Sequence, residues 1–399
     1  MDSISIIISV LDPGDTLVKV LDSLTIQSKL PEEVILVDAS KGIEVANLID
    51  SYADTLNIVH EKIDQPSYPG RNRNIGASLA KGTVLAFIDS KTVADKEWLQ
   101  KSLKKLSSNS YRVIFGFTKY EAFSKVQKII RAASFGLLGH ETAPGTVIIK
   151  EDFINSGGFI EDVRAGEDQE WRQRIKDLGY KNTKLGKPYL TYIDLPKSIT
   201  EMQYKYFIYS IHAARVNVLN NMKDLYLTLT LFLSALIVPR WNFMITGWDQ
   251  NPLFIPNITK IYLLSLILLL LVYLFFQNVL VRKSSEALFI NSLKILVFVF
   301  LCLAVFNWNA VIAGWVEDAM LYIPHITKIY LVSIFVASLF YRGLYVPFKG
   351  KVEKDYLFPF RWIYIGLIGL SFDIIKAPGY ILGSVISPFL FLRKNNKRF

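Results

Sequence analysis

Two kinds of hydrophobic pattern divide the chain. Up to residue 212, short apolar runs rich in β-branched residues recur at 4–10, 34–38, 57–60, 83–89 and 113–117, with helix-like amphipathic stretches between them at 15–27, 42–52, 72–80 and 96–106. Strands alternating with helices predict an α/β domain, a mostly parallel, Rossmann-like sheet covered on both faces. From residue 225 the pattern changes to long runs almost free of charge, at 225–247, 258–281, 293–313 and 326–341. A membrane-spanning helix takes about 20 apolar residues. The runs therefore predict four spans in an all-α membrane domain, the first interrupted by Pro239 and Arg240 and the fourth short. The expected organisation is an α/β domain at 1–212, a linker at 213–224, the membrane domain at 225–343 and a basic, interfacial amphipathic segment at 344–399.

The membrane half repeats itself. Arg240-Trp241-Asn242 recurs as Asn307-Trp308-Asn309, and Phe254-Ile-Pro-Asn-Ile-Thr-Lys-Ile-Tyr-Leu recurs as Tyr322-Ile-Pro-His-Ile-Thr-Lys-Ile-Tyr-Leu. Each tandem unit holds two spans, so both units are expected the same way up. Arg282 and Lys283 follow the second span, and Arg342, Lys349, Lys351 and Lys354 follow the fourth. The loops after the first and third carry Asp249, Glu317 and Asp318 instead. The positive-inside rule places the basic loops, the α/β domain and both termini in the cytoplasm. The apolar stretch 362–392 is broken by Asp373, Lys376, Pro378 and Pro388 and flanked by basic residues, which suggests interfacial helices or a shallow hairpin.

Composition sharpens this picture. The chain is 51% hydrophobic and 20% charged over 399 residues, with a formal net charge of +10; soluble domains run about 45–50% apolar and about 25% charged. Disorder and a wholly soluble protein are excluded. A disulfide scaffold is excluded as well, because Cys302 is the single cysteine and sits in an apolar run. The first apolar run has no basic residue before it and is too short to span, so a buried strand is expected rather than an export signal. No Asp, Glu or His lies deep within a span, which argues against transport as the sole function. Membrane lipid is an expected partner; nucleic acid is not.

Ligands of open α/β sheets bind at the carboxyl ends of the strands. The polar residues there are Asp12 and Asp15 after the first strand, Asp38 and Ser40 after the second, and Asp89, Ser90 and Lys91 after the fourth. Arg71, Arg73 and Asn74 open a helix nearby, and Glu167 and Asp168 open another after Gly157-Gly158-Phe159.

Taken in order, these segments resemble the family 2 glycosyltransferases of the GT-A fold. Ser9-Val-Leu-Asp-Pro13 is similar to the family's opening strand and turn. Val34-Ile-Leu-Val-Asp38-Ala-Ser40 is similar to its second strand, whose terminal acid contacts the nucleobase. Pro69-Gly-Arg-Asn-Arg73-Asn74-Ile-Gly76 resembles its PG…RNxG segment, and Val84-Leu-Ala-Phe-Ile-Asp89-Ser-Lys-Thr its strand of diphosphate- and metal-binding acids. Gly166-Glu-Asp-Gln-Glu-Trp-Arg-Gln-Arg174 resembles the segment that carries the catalytic base. The resemblance implies a nucleotide-sugar site at Pro13, Asp38, Ser40, Arg71, Arg73, Asn74, Asp89, Ser90 and Lys91. It implies Asp168 as general base with Glu167 beside it, acceptor contacts from His140, Trp171 and Arg174, and Mg²⁺ or Mn²⁺ at Asp89. One departure stands out: Lys91 occupies the place of the second acid of Asp-x-Asp, so it either leaves Asp89 to hold the ion alone or replaces part of the ion's charge. Gln203-Tyr-Lys-Tyr206-Phe207 departs from the Gln-x-x-Arg-Trp of processive synthases, so single-residue transfer is expected.

The expected activity is inverting transfer of a sugar from a UDP- or GDP-sugar to a lipid-linked or cell-surface glycan at the cell (inner) membrane. Two alternatives stand beside it: transfer to a polyprenyl phosphate, and a non-catalytic nucleotide-sugar-binding membrane protein.

Overall fold

The computed structural model describes residues 3–216, except 66, 109 and 110, and residues 335–391, except 337. The chain divides into two compact units, Met1–Asn220 with Ser338–Phe399, and Asn221–Ala337. The first three predicted spans and most of the fourth lie outside the described residues. Of the fourth, residues 335–336 and 338–341 are helical. Among the described residues no helix is long and apolar enough to cross a membrane.

The first unit is a mixed α/β sheet. Its strands are β1 (Ile4–Val10), β2 (Glu33–Asp38), β3 (Ile58–Lys62), β4 (Val84–Asp89), β5 (Thr92–Ala94), β6 (Val113–Tyr120), β7 (His140–Ile149), β8 (Asn182–Lys184) and β9 (Leu190–Tyr192). They run in the order β3-β2-β1-β4-β7-β6-β9-β5, with β8 on β6. The first four are parallel, as the pattern predicts. The sheet then departs from expectation, because β7 runs antiparallel to both β4 and β6.

Alternation along the strands divides the core. Ile6, Ile8 and Val10 pack on one face against Leu17, Val20 and Leu24 of α1 (Thr16–Thr25) and Trp98 and Leu99 of α4 (Trp98–Ser107). Ile7, Val37, Leu85 and Phe87 pack on the other against Ala77 of α3 (Pro69–Leu79), Phe153 of α6 (Lys150–Asn155) and Trp171 of α7 (Glu167–Asp177). A sheet covered on both faces needs near-continuous apolar strands, and β1 is such a strand. Three further helices of this unit are α2 (Glu44–Ile49), α5 (Lys125–Ser134) and α8 (Ile199–Ala213).

The C-terminal stretch corrects the hairpin expectation. It is one helix, α9 (Arg361–Phe391), packed on α5 and α8 through Ile365, Ile368 and Phe372. The charges that read as breaks are paired: Asp373 accepts from Arg342 and lies 3.5 Å from Lys376. A paired charge loses much of its cost within a helix interface.

Candidate active site

Strand register brings the candidate donor residues together. Val10 lies opposite Asp38, and Ser9 lies opposite Asp89 on the other side of β1. Three neighbouring parallel strands thus end at one edge. The Ser40 hydroxyl accepts the Asp12 N–H at 2.9 Å, stitching two of those ends together. The Pro13 carbonyl accepts the Thr16 hydroxyl at 2.5 Å and so starts α1. Ser90 is buried at the third end.

Asp38 is only 1% exposed, and both its oxygens are engaged. Oδ1 accepts the Ser40 N–H at 2.8 Å; Oδ2 accepts from Lys62 Nζ at 2.9 Å and faces His60 Nε2 at 3.3 Å. Burial works to raise this carboxyl, but those hydrogen bonds outweigh it and hold the group below its usual range. Lys62 and His60 were not legible as site residues: they stand at the polar end of β3, where its short apolar run stops.

Arg73 is the hub. Its side chain is 3% exposed; Nη2 donates to Asp89 Oδ1 at 2.8 Å and Nη1 to Glu167 Oε1 at 2.9 Å. Burial opposes the charge, but the two carboxylates hold the guanidinium firmly protonated. The Phe159 ring lies 5.3 Å beneath it. Arg71, two residues earlier, is partly exposed and makes no hydrogen bond or ion pair among the described residues.

Gly166, at φ +92°, precedes α7 and turns the chain so that Glu167 and Asp168 open the helix at this edge. They diverge in environment. Glu167 is 7% exposed, and its Oε2 is buried without a partner. Burial pushes its carboxyl up to about 7 against the pull of Arg73, and the charge of Asp168 adds to the rise. Asp168 is 24% exposed and accepts from Arg172 Nη2 at 3.4 Å.

Four expected contacts have partners within the protein. Trp171 is fully buried, donates to Ser156 Oγ at 3.0 Å and packs 4.9 Å from Phe159, so it belongs to the core. Arg174 grips Glu170 at 2.8 Å and the Gly158 carbonyl at 2.7 Å. Asn74 donates to the Phe159 carbonyl at 2.8 Å and accepts the Phe159 N–H at 2.9 Å. Arg174 and Asn74 therefore hold the 157–161 loop. His140 pairs with the Phe135 carbonyl at 2.6 Å and packs edge-on against Tyr120.

Other site residues gave no signal in the sequence. Asp194 meets Lys91 at 2.5 Å. Lys205 and Tyr209 on α8, and Tyr192 on β9, close the same corner. Burial raises the phenols of Tyr120 and Tyr192; the charge of Asp168 adds at the first and those of Asp194 and Asp89 at the second. Gln203 and Tyr206 turn away: Gln203 donates to Ser371 Oγ at 3.0 Å, and Tyr206 packs on Phe372 at 5.3 Å.

A divalent ion does not fit this donor set. Asp89 has one oxygen committed to Arg73, Lys91 stands where a second acid is needed, and no group of three His, Cys, Asp or Glu converges among the described residues.

Comparison with known sequences gives a match over part of the chain. Residues 5–149 match the model of Glycosyl transferase family 2. The matched stretch holds the donor edge, from β1 through β7. Two uncharacterized glycosyltransferases, of Rickettsia felis and Rickettsia conorii, are 24% and 25% identical to the chain over 177 residues, 41% of this chain and 29% and 28% of theirs. The chain thus spans less than a third of the length of these curated relatives. Among solved structures, S. aureus TarS 1–349 in complex with UDP-GlcNAc has a TM-score of 0.40 at 16% identity, covering 66% of this chain and 80% of that one. The same protein with UDP has a TM-score of 0.38 at 18% identity, with the same coverage.

Proposed function

We propose that the chain is a membrane-anchored, inverting glycosyltransferase. It moves one sugar at a time from a nucleoside-diphosphate sugar to a hydroxyl of a lipid-linked or cell-surface glycan, on the cytoplasmic side of the cell membrane. The observation that carries this reading is Arg73, whose single guanidinium joins Asp89 at the donor edge to Glu167 beside Asp168. Membrane anchoring rests on the four apolar runs of the sequence.

In this mechanism Asp168 takes the proton of the acceptor hydroxyl, being the more open of the two acids that begin α7. The acceptor oxygen bonds to the anomeric carbon from the side opposite the diphosphate. The bond from that carbon to the β-phosphate oxygen breaks, its electron pair leaves with the diphosphate, and the configuration inverts. Glu167 and Arg73 orient Asp89 and the start of α7. No step is routed through a metal.

The test is turnover of full-length enzyme with UDP- and GDP-sugars in lipid. Asp168→Asn is expected to lower turnover by about 10²–10⁴-fold with donor affinity unchanged, whereas Asp89→Asn weakens donor binding. Full turnover by Asp168→Asn would instead favour a polyprenyl-phosphate acceptor, which is already an anion and needs no base.

A further inference from the structure

Asp89 stands at the donor edge without the second acid that an Asp-x-Asp pair would supply, yet the same corner gathers lysines from two separate elements. β5 pairs antiparallel with β9, Thr92 opposite Tyr192, and the Ile193 N–H donates to the Lys91 carbonyl at 3.0 Å. This ladder holds Lys91, two residues beyond Asp89, beside Asp194 at 2.5 Å. α8 then delivers Lys205 to the same place. Its Nζ lies 3.5 Å from the Tyr192 hydroxyl and 5.5 Å from the ring centroids of Tyr192 and Tyr209.

Lys205 forms no ion pair with a carboxylate among the described residues. Burial lowers its hold on its proton, and the positive charges of Lys91 and Arg164 lower it further, against the opposing pull of Asp194 and Glu201. Asp89 is already paired with Arg73. Asp194 is taken up by Lys91, so Lys205 stands beside that pair without a carboxylate of its own.

We propose that Lys91 and Lys205 form a fixed cationic site for the diphosphate of the sugar donor and take the place of a divalent ion. This rests on the transferase reading above. When the bond to the anomeric carbon breaks, the β-phosphate oxygen takes the electron pair and gains negative charge, and cations already in place stabilise it without reorganising. Lys91 is kept in position by Asp194, and Lys205 by the aromatic faces of Tyr192 and Tyr209.

The test is calorimetric binding of UDP, GDP and the corresponding nucleosides to the full-length protein in detergent, with EDTA or with Mg²⁺. The expected result is diphosphate binding in EDTA within about threefold of that in Mg²⁺. Lys205→Met should weaken diphosphate binding by about tenfold or more, the scale of a lost charge-assisted hydrogen bond. Nucleoside binding should stay unchanged, which also shows the variant is folded, and Lys205→Arg should recover most of the loss. Diphosphate binding that disappears in EDTA, with Lys205→Met indistinguishable from wild type in Mg²⁺, would overturn the site and leave the transferase reading standing. Binding of neither diphosphate under any condition would overturn both.

Discussion

Glu167 and Asp168 show how far position along a helix separates two adjacent carboxylates. One points into the sheet against Arg73, and the other faces the open edge. Because the folded-state pKa of Glu167 is raised, its contribution to stability is fully present below the unfolded value of about 4.3 and is lost as pH rises through about 7. Wild-type stability is therefore expected to fall between pH 5 and pH 8. Glu167→Gln is expected to flatten that fall by up to about 3 kcal/mol, since each tenfold change in proton affinity is worth about 1.4 kcal/mol. Thermal unfolding at the two pH values checks this; an equal fall in both proteins would assign the dependence to another group. At this scale the sequence marked Asp38, Arg73, Asp89, Glu167 and Asp168 as a group, because they stand at strand and helix ends. It did not show Trp171 in the core or Arg174 on the 157–161 loop, because the helical pattern does not tell which side of α7 meets the sheet.

Elements read best where they are long and buried. β1, β2 and β4 are continuous apolar runs that predict themselves, whereas β5, β8 and β9 are three residues each and form because β6 and one another offer edges. The lysine corner depends on those short strands. α9 is the other element that packing decided. Against α8, a Cβ at Gly379 would stand 2.6 Å from the Phe207 carbonyl oxygen, and one at Gly383 2.2 Å from that of Ile211. The two glycines and the two carbonyls are each one turn apart, so the helices meet backbone to backbone. Gly379→Leu or Gly383→Val is expected to force them apart and destabilise the first unit by about 1–3 kcal/mol, the usual cost of overpacking. Thermal unfolding of the full chain measures it, and an unchanged midpoint would show that α9 contributes nothing to the unit's stability.

At the scale of the whole molecule, a domain with a cationic donor corner is joined in sequence to apolar runs whose flanking charges are asymmetric. That asymmetry makes a direct prediction about residues outside the described ones. On a Cys302→Ser background, cysteines placed at Asp249 and Asp318 are expected to react with an impermeant thiol reagent from outside the cell, and one at Lys283 only after the cell is opened. Reaction at Lys283 in intact cells would reverse the orientation.

The sequence by itself determined the alternation of strands and helices in the first half, the order of the motifs along it and the internal repeat of the second half. Each of these is written in local spacing: a period of two in strands, three to four residues in helices, and a 67- to 68-residue interval in the repeat. Tertiary structure alone decided that Arg73 reaches Glu167 across 94 residues, that Lys62 and His60 occupy Asp38, that β7 runs antiparallel, and that Lys205 stands in the same corner as Lys91. The reason is physical. Local pattern states which face of an element is apolar, but which polar ends meet depends on strand order and helix rotation, and those are settled only when both faces of the sheet are covered at once.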